Sequence, residues 1–212
     1  MLHFFKEKHL DQATYRYFEP NTIQRIGEGS YGVAYVRQNG EITTVIKRLK
    51  AKRLNKRTIA KFQQEISFLQ QLQALPVPKL VQTNWIEDAP FYEMSYINGF
   101  TFEQAIFDQN IQYSNAEIFQ YTKQLLSILI KMHEANIVHR DLRIPNILVN
   151  DGQLTIIDFG LASKIDPNIA LHSIKNPKKV KHPISDLYEV GHFMLFLLYS
   201  TYEPHSRKNS SW

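Results

Sequence analysis

The stretch Ile137-Val138-His139-Arg140-Asp141-Leu142-Arg143-Ile144-Pro145-Asn146-Ile147-Leu148-Val149, followed by Thr155-Ile156-Ile157-Asp158-Phe159-Gly160, decides how this chain is read. Two carboxylates and a carboxamide stand beside apolar runs rich in β-branched residues, which a sheet buries. Burying such polar groups is costly unless a ligand, a metal or hydrogen bonds compensate. A functional site explains them more easily than packing does. Asp158 and Asn146 offer hard oxygen ligands of the kind that suits Mg²⁺, a cation that keeps water and binds phosphate oxygens beside one or two protein groups. Asp141 is then left to orient or deprotonate an attacking hydroxyl.

Upstream, Gly27-Glu28-Gly29-Ser30-Tyr31-Gly32 follows one expected strand and enters another. Missing side chains let backbone N–H groups approach phosphate oxygens there, although an ordinary hairpin carries the same glycines. A dinucleotide-binding turn is disfavoured, because Val33-Ala34-Tyr35-Val36 reads as a strand where that fingerprint needs a helix. Lys47 sits in the next strand, on the face opposite Ile46. Glu65, eighteen residues on, lies in an amphipathic helix off its main apolar stripe, from which it could reach back to Lys47. Each of these two, taken alone, also fits an ordinary solvent-exposed side chain.

The wider pattern is two-part. Five short β-type segments are expected at Ile23–Ile26, Val33–Arg37, Ile42–Leu49, Val81–Ile86 and Phe91–Ile97, with a turn at Asp88-Ala89-Pro90 and one helix through Ile59, Phe62, Ile66, Leu69 and Leu72. After Asn98-Gly99 the pattern turns helical: Phe102 to Phe107, then a long helix opened by a Ser114/Glu117 capping box, with an apolar face from Ile118 to Met132. A last apolar helix runs from Asp186 through Leu198. The lobes therefore divide near Asn98, at about 18–97 and 98–212, within one domain spanning 1–212.

With 43% hydrophobic residues in 212, the chain can bury a sizeable core, and it has no cysteine for disulfides or thiolate zinc sites. Charge returns too early after Met1 for a signal peptide, and the longest apolar run, Phe193 to Tyr199, is far short of a membrane span. A cytoplasmic location is expected. The net charge of +5 falls largely in segments 47–61 and 175–181, which either dock an acidic partner or RNA or form a solvated face.

In this order, the motifs resemble the protein-kinase signature set from about Ile23 to Ser200. The resemblance implies an α+β, bilobal protein-kinase-like fold: a five-stranded antiparallel first lobe with one helix and a mostly helical, shortened second lobe. It implies ATP and Mg²⁺ as cofactors, a protein substrate and transfer to a serine or threonine hydroxyl. Gly27, Glu28, Gly29, Ser30, Tyr31 and Gly32 would then cover the ATP phosphates, Lys47 would contact them while paired with Glu65, and Asp141 would be the catalytic base. Asn146 and Asp158 would hold the metal. Ala34, Val45, Met94 as gatekeeper and Leu148 would surround the adenine, whose edge backbone groups near Ser95 and Ile97 would read. His139 and Phe159 look like packing residues coupling two loops, and Asp186 resembles a buried aspartate bracing the catalytic loop.

Four departures stand out. Ala34 and Val45 exchange the family's usual valine and alanine, a swap that conserves volume. Arg143 replaces the lysine common two residues after the catalytic aspartate, keeping the charge in a different geometry. The interval from Asp158 to Asp186 is short and lacks Ala-Pro-Glu, and the sequence reaches Trp212 soon after its last apolar helix. This outline is similar to the RIO kinases, to the kinase of the KEOPS tRNA-modification complex and to compact bacterial protein kinases, although the glycine loop and His139-Arg140-Asp141 resemble ordinary protein kinases more than either atypical group. Two other readings stay open: a small-molecule kinase, favoured by the missing peptide platform, and an ATP-responsive pseudokinase that binds RNA or protein.

Overall fold

The computed structural model describes residues 2–201. The end of the second lobe as read from sequence, 202–212, lies outside the described residues. Helix α1 (Leu2–Tyr17) comes first. It precedes a sheet of β1 (Ile23–Glu28), β2 (Gly32–Asn39), β3 (Ile42–Leu49), β4 (Leu80–Ile86) and β5 (Ala89–Ser95), with helix α2 (Lys56–Gln71) between β3 and β4. The strand order is β1-β2-β3-β5-β4, antiparallel throughout.

Side chains alternate across this sheet, so β3 serves two layers at once. Ile46 joins Val33, Tyr35, Phe91 and Ile86 in an outer cluster that α1 covers with Ala13, while Phe18 follows the helix into the same cluster. Lys47 faces the other way, toward α2. No helix was expected before residue 18; because α1 packs on the outer face, the first lobe begins ahead of that point. Ion pairs hold α1 in addition to apolar contact. Arg48, fully buried, donates to Glu7 Oε1 at 2.9 Å and Asp11 Oδ1 at 2.6 Å, and Glu7 Oε2 accepts the Ala51 amide.

The fifth strand starts at Ala89 and ends at Ser95, two residues earlier at each end than its pattern predicts. The turn is shorter than expected, with Glu87 in the left-handed region (φ 55°), so Ala89 and Pro90 already pair with Ile86 and Trp85. Pro90 fits because β3 pairs with β5 only from Phe91 onward, leaving no ladder bond that its missing N–H must make.

The second lobe holds α3 (Phe102–Phe107), α4 (Asn115–Glu134) and α5 (Ile184–Tyr199), with short strands β6 (Phe100–Thr101), β7 (Ile137–Val138), β8 (Ile147–Asn150), β9 (Gln153–Ile156) and β10 (Ser163–Lys164). The Ser114/Glu117 capping box opens α4 as expected, and an unforeseen one at Thr101/Gln104 opens α3. One apolar cluster joins the lobes, running from Leu49, Phe62 and Tyr92 to Leu125, Ile147 and Phe159. Among the described residues no helix is long and apolar enough to cross a membrane.

Candidate active site

Five elements converge where the lobes meet. From β3, Lys47 Nζ donates to Glu65 Oε1 of α2 at 2.7 Å and to Asp158 Oδ1 of the opposite lobe at 2.8 Å. Tyr92 of β5, which pairs with Lys47 across the sheet, donates its hydroxyl to the same Glu65 oxygen at 2.9 Å. Burial alone would lower the Lys47 ammonium, but the carboxylates of Glu65 and Asp158 prevail and hold it well above its ordinary 10.5. Burial likewise acts to raise Asp158, yet Lys47 keeps its carboxyl below the usual value. Both groups of this pair are therefore charged at neutral pH.

The loop after β7 supplies the second cluster. Asp141 is nearly buried, and Arg143 grips both its oxygens, Nε to Oδ1 at 2.7 Å and Nη2 to Oδ2 at 3.1 Å. Asn146 donates Nδ2 to Asp141 Oδ2 at 2.8 Å and to the Asp141 carbonyl at 2.9 Å. That double contact comes from the 3₁₀ turn Ile144–Asn146, in which Pro145 fixes the backbone. The Asn146 carbonyl in turn accepts the Ile157 amide at 2.9 Å, which ties this loop to the residue preceding Asp158.

Beneath both clusters lies Asp186 of α5, fully buried, accepting the backbone amides of His139 at 3.0 Å and Arg140 at 2.7 Å. His133 of α4 approaches the same carboxylate at 2.8 Å. The His139 ring packs edge-on against Phe159 at 4.9 Å, and burial pushes its pKa below 6.5 despite the carboxylates of Asp186, Asp158 and Asp141. Arg140 and Asp158 both have left-handed backbones, φ 67° and 62°. Non-glycine residues hold such conformations only where their surroundings impose them, and these cluster at functional sites.

The glycine loop forms the roof. Its turn closes with Gly29 N–H donating to the Gly32 carbonyl at 2.9 Å, and a Cβ added at Gly27 or Gly29 would meet nothing within 4 Å. Arg53 Nε donates to the Ser30 carbonyl at 3.1 Å, while its guanidinium lies over the Tyr31 ring at 5.0 Å. Glu28 pairs with Arg25 and Lys50. Gly32 is tighter: a Cβ there would press on the Arg48 carbonyl at 3.1 Å and Lys47 Cγ at 3.2 Å.

Ala34, Val45 and Met94 lie half-buried, Ala34 opposite Lys47 and Val45 opposite Met94 in the ladder, and Leu148 is buried on β8. Ile97 is half-buried just after β5. The Ser95 amide is spent on the Lys79 carbonyl at 2.8 Å, so at that position a carbonyl is what remains for a ligand. Of the basic segment 47–61, Lys47, Arg48 and Lys50 are turned inward, leaving Lys52, Lys56, Arg57 and Lys61 exposed. In the second basic segment, Lys175, Lys178 and Lys181 are exposed.

A sheet-and-helix lobe seated on a helical lobe, with a lysine tied to a carboxylate across the junction, is the architecture of a bilobal kinase. The protein kinase domain family model matches residues 21–179, and the chain belongs to that family. It is 33% identical over 190 residues to a Bacillus subtilis (strain 168) protein named probable serine/threonine-protein kinase YbdM, covering 88% of this chain and 72% of that protein. It is 28% identical over 204 residues to calcium-dependent protein kinase 5 of Plasmodium berghei (strain Anka), covering 88% of this chain but 35% of that one. Among solved structures, the kinase domain PF14_0431 matches with a TM-score of 0.68 at 16% identity, over 88% of this chain and 67% of its own.

Proposed function

We propose that this chain transfers the γ-phosphoryl group of ATP, with Mg²⁺, to a serine or threonine hydroxyl of a protein in the cytoplasm. The observation that carries the reading is Lys47, held between Glu65 at 2.7 Å and Asp158 at 2.8 Å from the other lobe. A charged lysine so fixed presents a cation at the mouth of a loop whose glycines at 27 and 29 leave open space. Those features fit a triphosphate.

Bound MgATP supplies the phosphoryl group and a cation that neutralises its oxygens. Asp158 and Asn146 are the oxygen donors for that cation, in keeping with a site of one or two protein ligands. Gly27 through Gly32 offer backbone amides to the phosphates, and Lys47 adds its charge there. Ala34, Val45, Met94 and Leu148 enclose the adenine, with the Ser95 carbonyl and Ile97 backbone at its edge. Asp141 orients the acceptor hydroxyl and takes its proton, while Arg143 counters the charge of the transferring group. Most of the acceleration then comes from positioning and charge neutralisation.

The hydroxyl class rests on the relatives' names, two of them bacterial proteins named serine/threonine-protein kinases. A nucleotide-binding measurement tests the site separately from turnover. ATP should raise the melting temperature more with Mg²⁺ than without, and Asp158→Asn should remove the Mg²⁺-dependent part. Identical shifts in wild type and variant would contradict the metal assignment.

A further inference from the structure

Glu189 lies on α5 three residues beyond Asp186, whose carboxylate holds the catalytic-loop amides. Its side chain is 3% exposed, and its Oε1 accepts no hydrogen bond among the described residues. A buried carboxylate in that condition is costly to keep unless something basic comes to it. Its partner is Lys178, in a long ion pair with Nζ 3.5 Å from Oε1 and a side chain 54% exposed. Lys178 belongs to the 3₁₀ turn Pro177–Lys179, part of the segment that leads from Asp158-Phe159-Gly160 to α5, and this turn packs on α5.

One turn of α5 separates Glu189 from the carboxylate that holds the loop carrying Asp141, and Lys178 brings the bordering segment to its other side.

We propose that Glu189 is a specificity-determining residue: it receives a basic side chain flanking the acceptor serine or threonine, and Lys178 is the built-in occupant that this side chain displaces. The proposal rests on the reading of Asp141 as the acid facing the acceptor. The incoming cation takes the place of Lys178, so the buried carboxylate stays paired throughout the exchange. Arginine presents a planar fork able to engage both carboxylate oxygens, whereas an ammonium is a point charge. Arginine is therefore preferred over lysine, and both over neutral residues.

The test is peptide binding by fluorescence anisotropy, using labelled serine peptides with a single arginine, lysine or alanine at each flanking position in turn. Wild type should bind the best arginine peptide about tenfold more tightly than its alanine counterpart, the scale of one charge-assisted contact. Glu189→Gln, which keeps the side-chain shape, should erase that preference, and Lys178→Ala should strengthen it. Equal affinities for arginine and alanine peptides in wild type, or a preference that survives Glu189→Gln, would overturn the proposal. If Glu189→Gln does not fold, an unchanged arginine preference in Lys178→Ala would overturn it instead. Binding is read without turnover, so the two readings fail separately. Arginine selectivity with no phosphate transfer to any peptide would count against Asp141 as base, and transfer without selectivity would count against Glu189 alone.

Discussion

Arg48 Nη2 and Asp11 Oδ1 lie 2.6 Å apart, joining the buried side of the central strand to a helix thirty-seven residues earlier. The same guanidinium nitrogen also donates to Glu7 and the Tyr35 hydroxyl, and Arg25 Nη1 of β1 reaches the other Asp11 oxygen at 2.7 Å, so two cations bind α1 to the sheet. Removing a single acid leaves Arg48 short of partners in a place water does not reach. Asp11→Ala should therefore cost about 2–4 kcal/mol, measured by urea unfolding. The pair Asp11→Leu with Arg48→Met should recover most of the loss, because a buried ion pair replaced by apolar groups is often neutral. An Asp11→Ala variant as stable as wild type would show that α1 is held by its apolar face alone.

Lys47 and Glu65 give a prediction about activity without loss of fold. Glu65→Gln keeps a hydrogen-bonding group for the Tyr92 hydroxyl but removes the charge that holds the Lys47 ammonium in place. Phosphate transfer should fall about 10²-fold, and the unfolding midpoint should drop only in part, because Asp158 still pairs Lys47. Lys47→Met should fall at least as far. A Glu65→Gln enzyme with wild-type kcat/KM for ATP would contradict the bridging role.

The sequence made some of this geometry legible and hid the rest for physical reasons. The sheet was readable because β3 and β5 carry β-branched and aromatic residues, and Lys47 and Glu65 sit where their elements predict. Helix α1 was not. Its inward face includes Glu7 and Asp11, which look like ordinary surface charge until their partner Arg48 is known to be buried. The run 47–61 misleads for the same reason, since charge counts do not tell which face of a strand a cation occupies. Nor does spacing reveal that Arg143 grips both oxygens of Asp141, or that Tyr92 reaches Glu65. Alternation along β5 does place Tyr92 on the same face as the Lys47 partner position, and that signal was available.

Gly99 marks the passage between lobes. Its φ is 117°, outside what side-chain-bearing residues adopt readily, and a Cβ there would run into the Val149 carbonyl oxygen and come within 3.0 Å of Asn150 Cβ. Gly99→Ala should destabilise the protein by about 1–3 kcal/mol through backbone strain and that collision. Because β6 pairs with β8 at Phe100–Val149 and Thr101–Leu148, the variant should also weaken nucleotide binding by displacing Leu148. An alanine variant as stable as wild type would contradict the contact.

Acid should weaken the fold in two stages. His139 has a folded pKa below 6.5 because burial disfavours its cation, so on acidification the unfolded chain takes up a proton that the folded chain refuses. Stability is then full above about 6.5 and declines as pH falls toward the folded value. Asp158, held below its ordinary 3.8 by Lys47, adds a second loss that starts near that value and continues below it. Lys47 behaves in the opposite sense: its contribution is complete below 10.5 and is lost only as pH rises through its higher folded value. Urea midpoints taken from about pH 8 down to about pH 5 should fall, and His139→Phe should flatten that limb. A flat wild-type profile would contradict the buried neutral ring.

The measurement that bears most directly on the site is transfer of radiolabelled γ-phosphate from ATP into protein, with Mg²⁺, by wild type, Asp141→Ala and Asp158→Asn. Label on phosphoserine or phosphothreonine with wild type, and none above background with either variant, is the expected result. Equal labelling by all three proteins would contradict the assignment of these two acids.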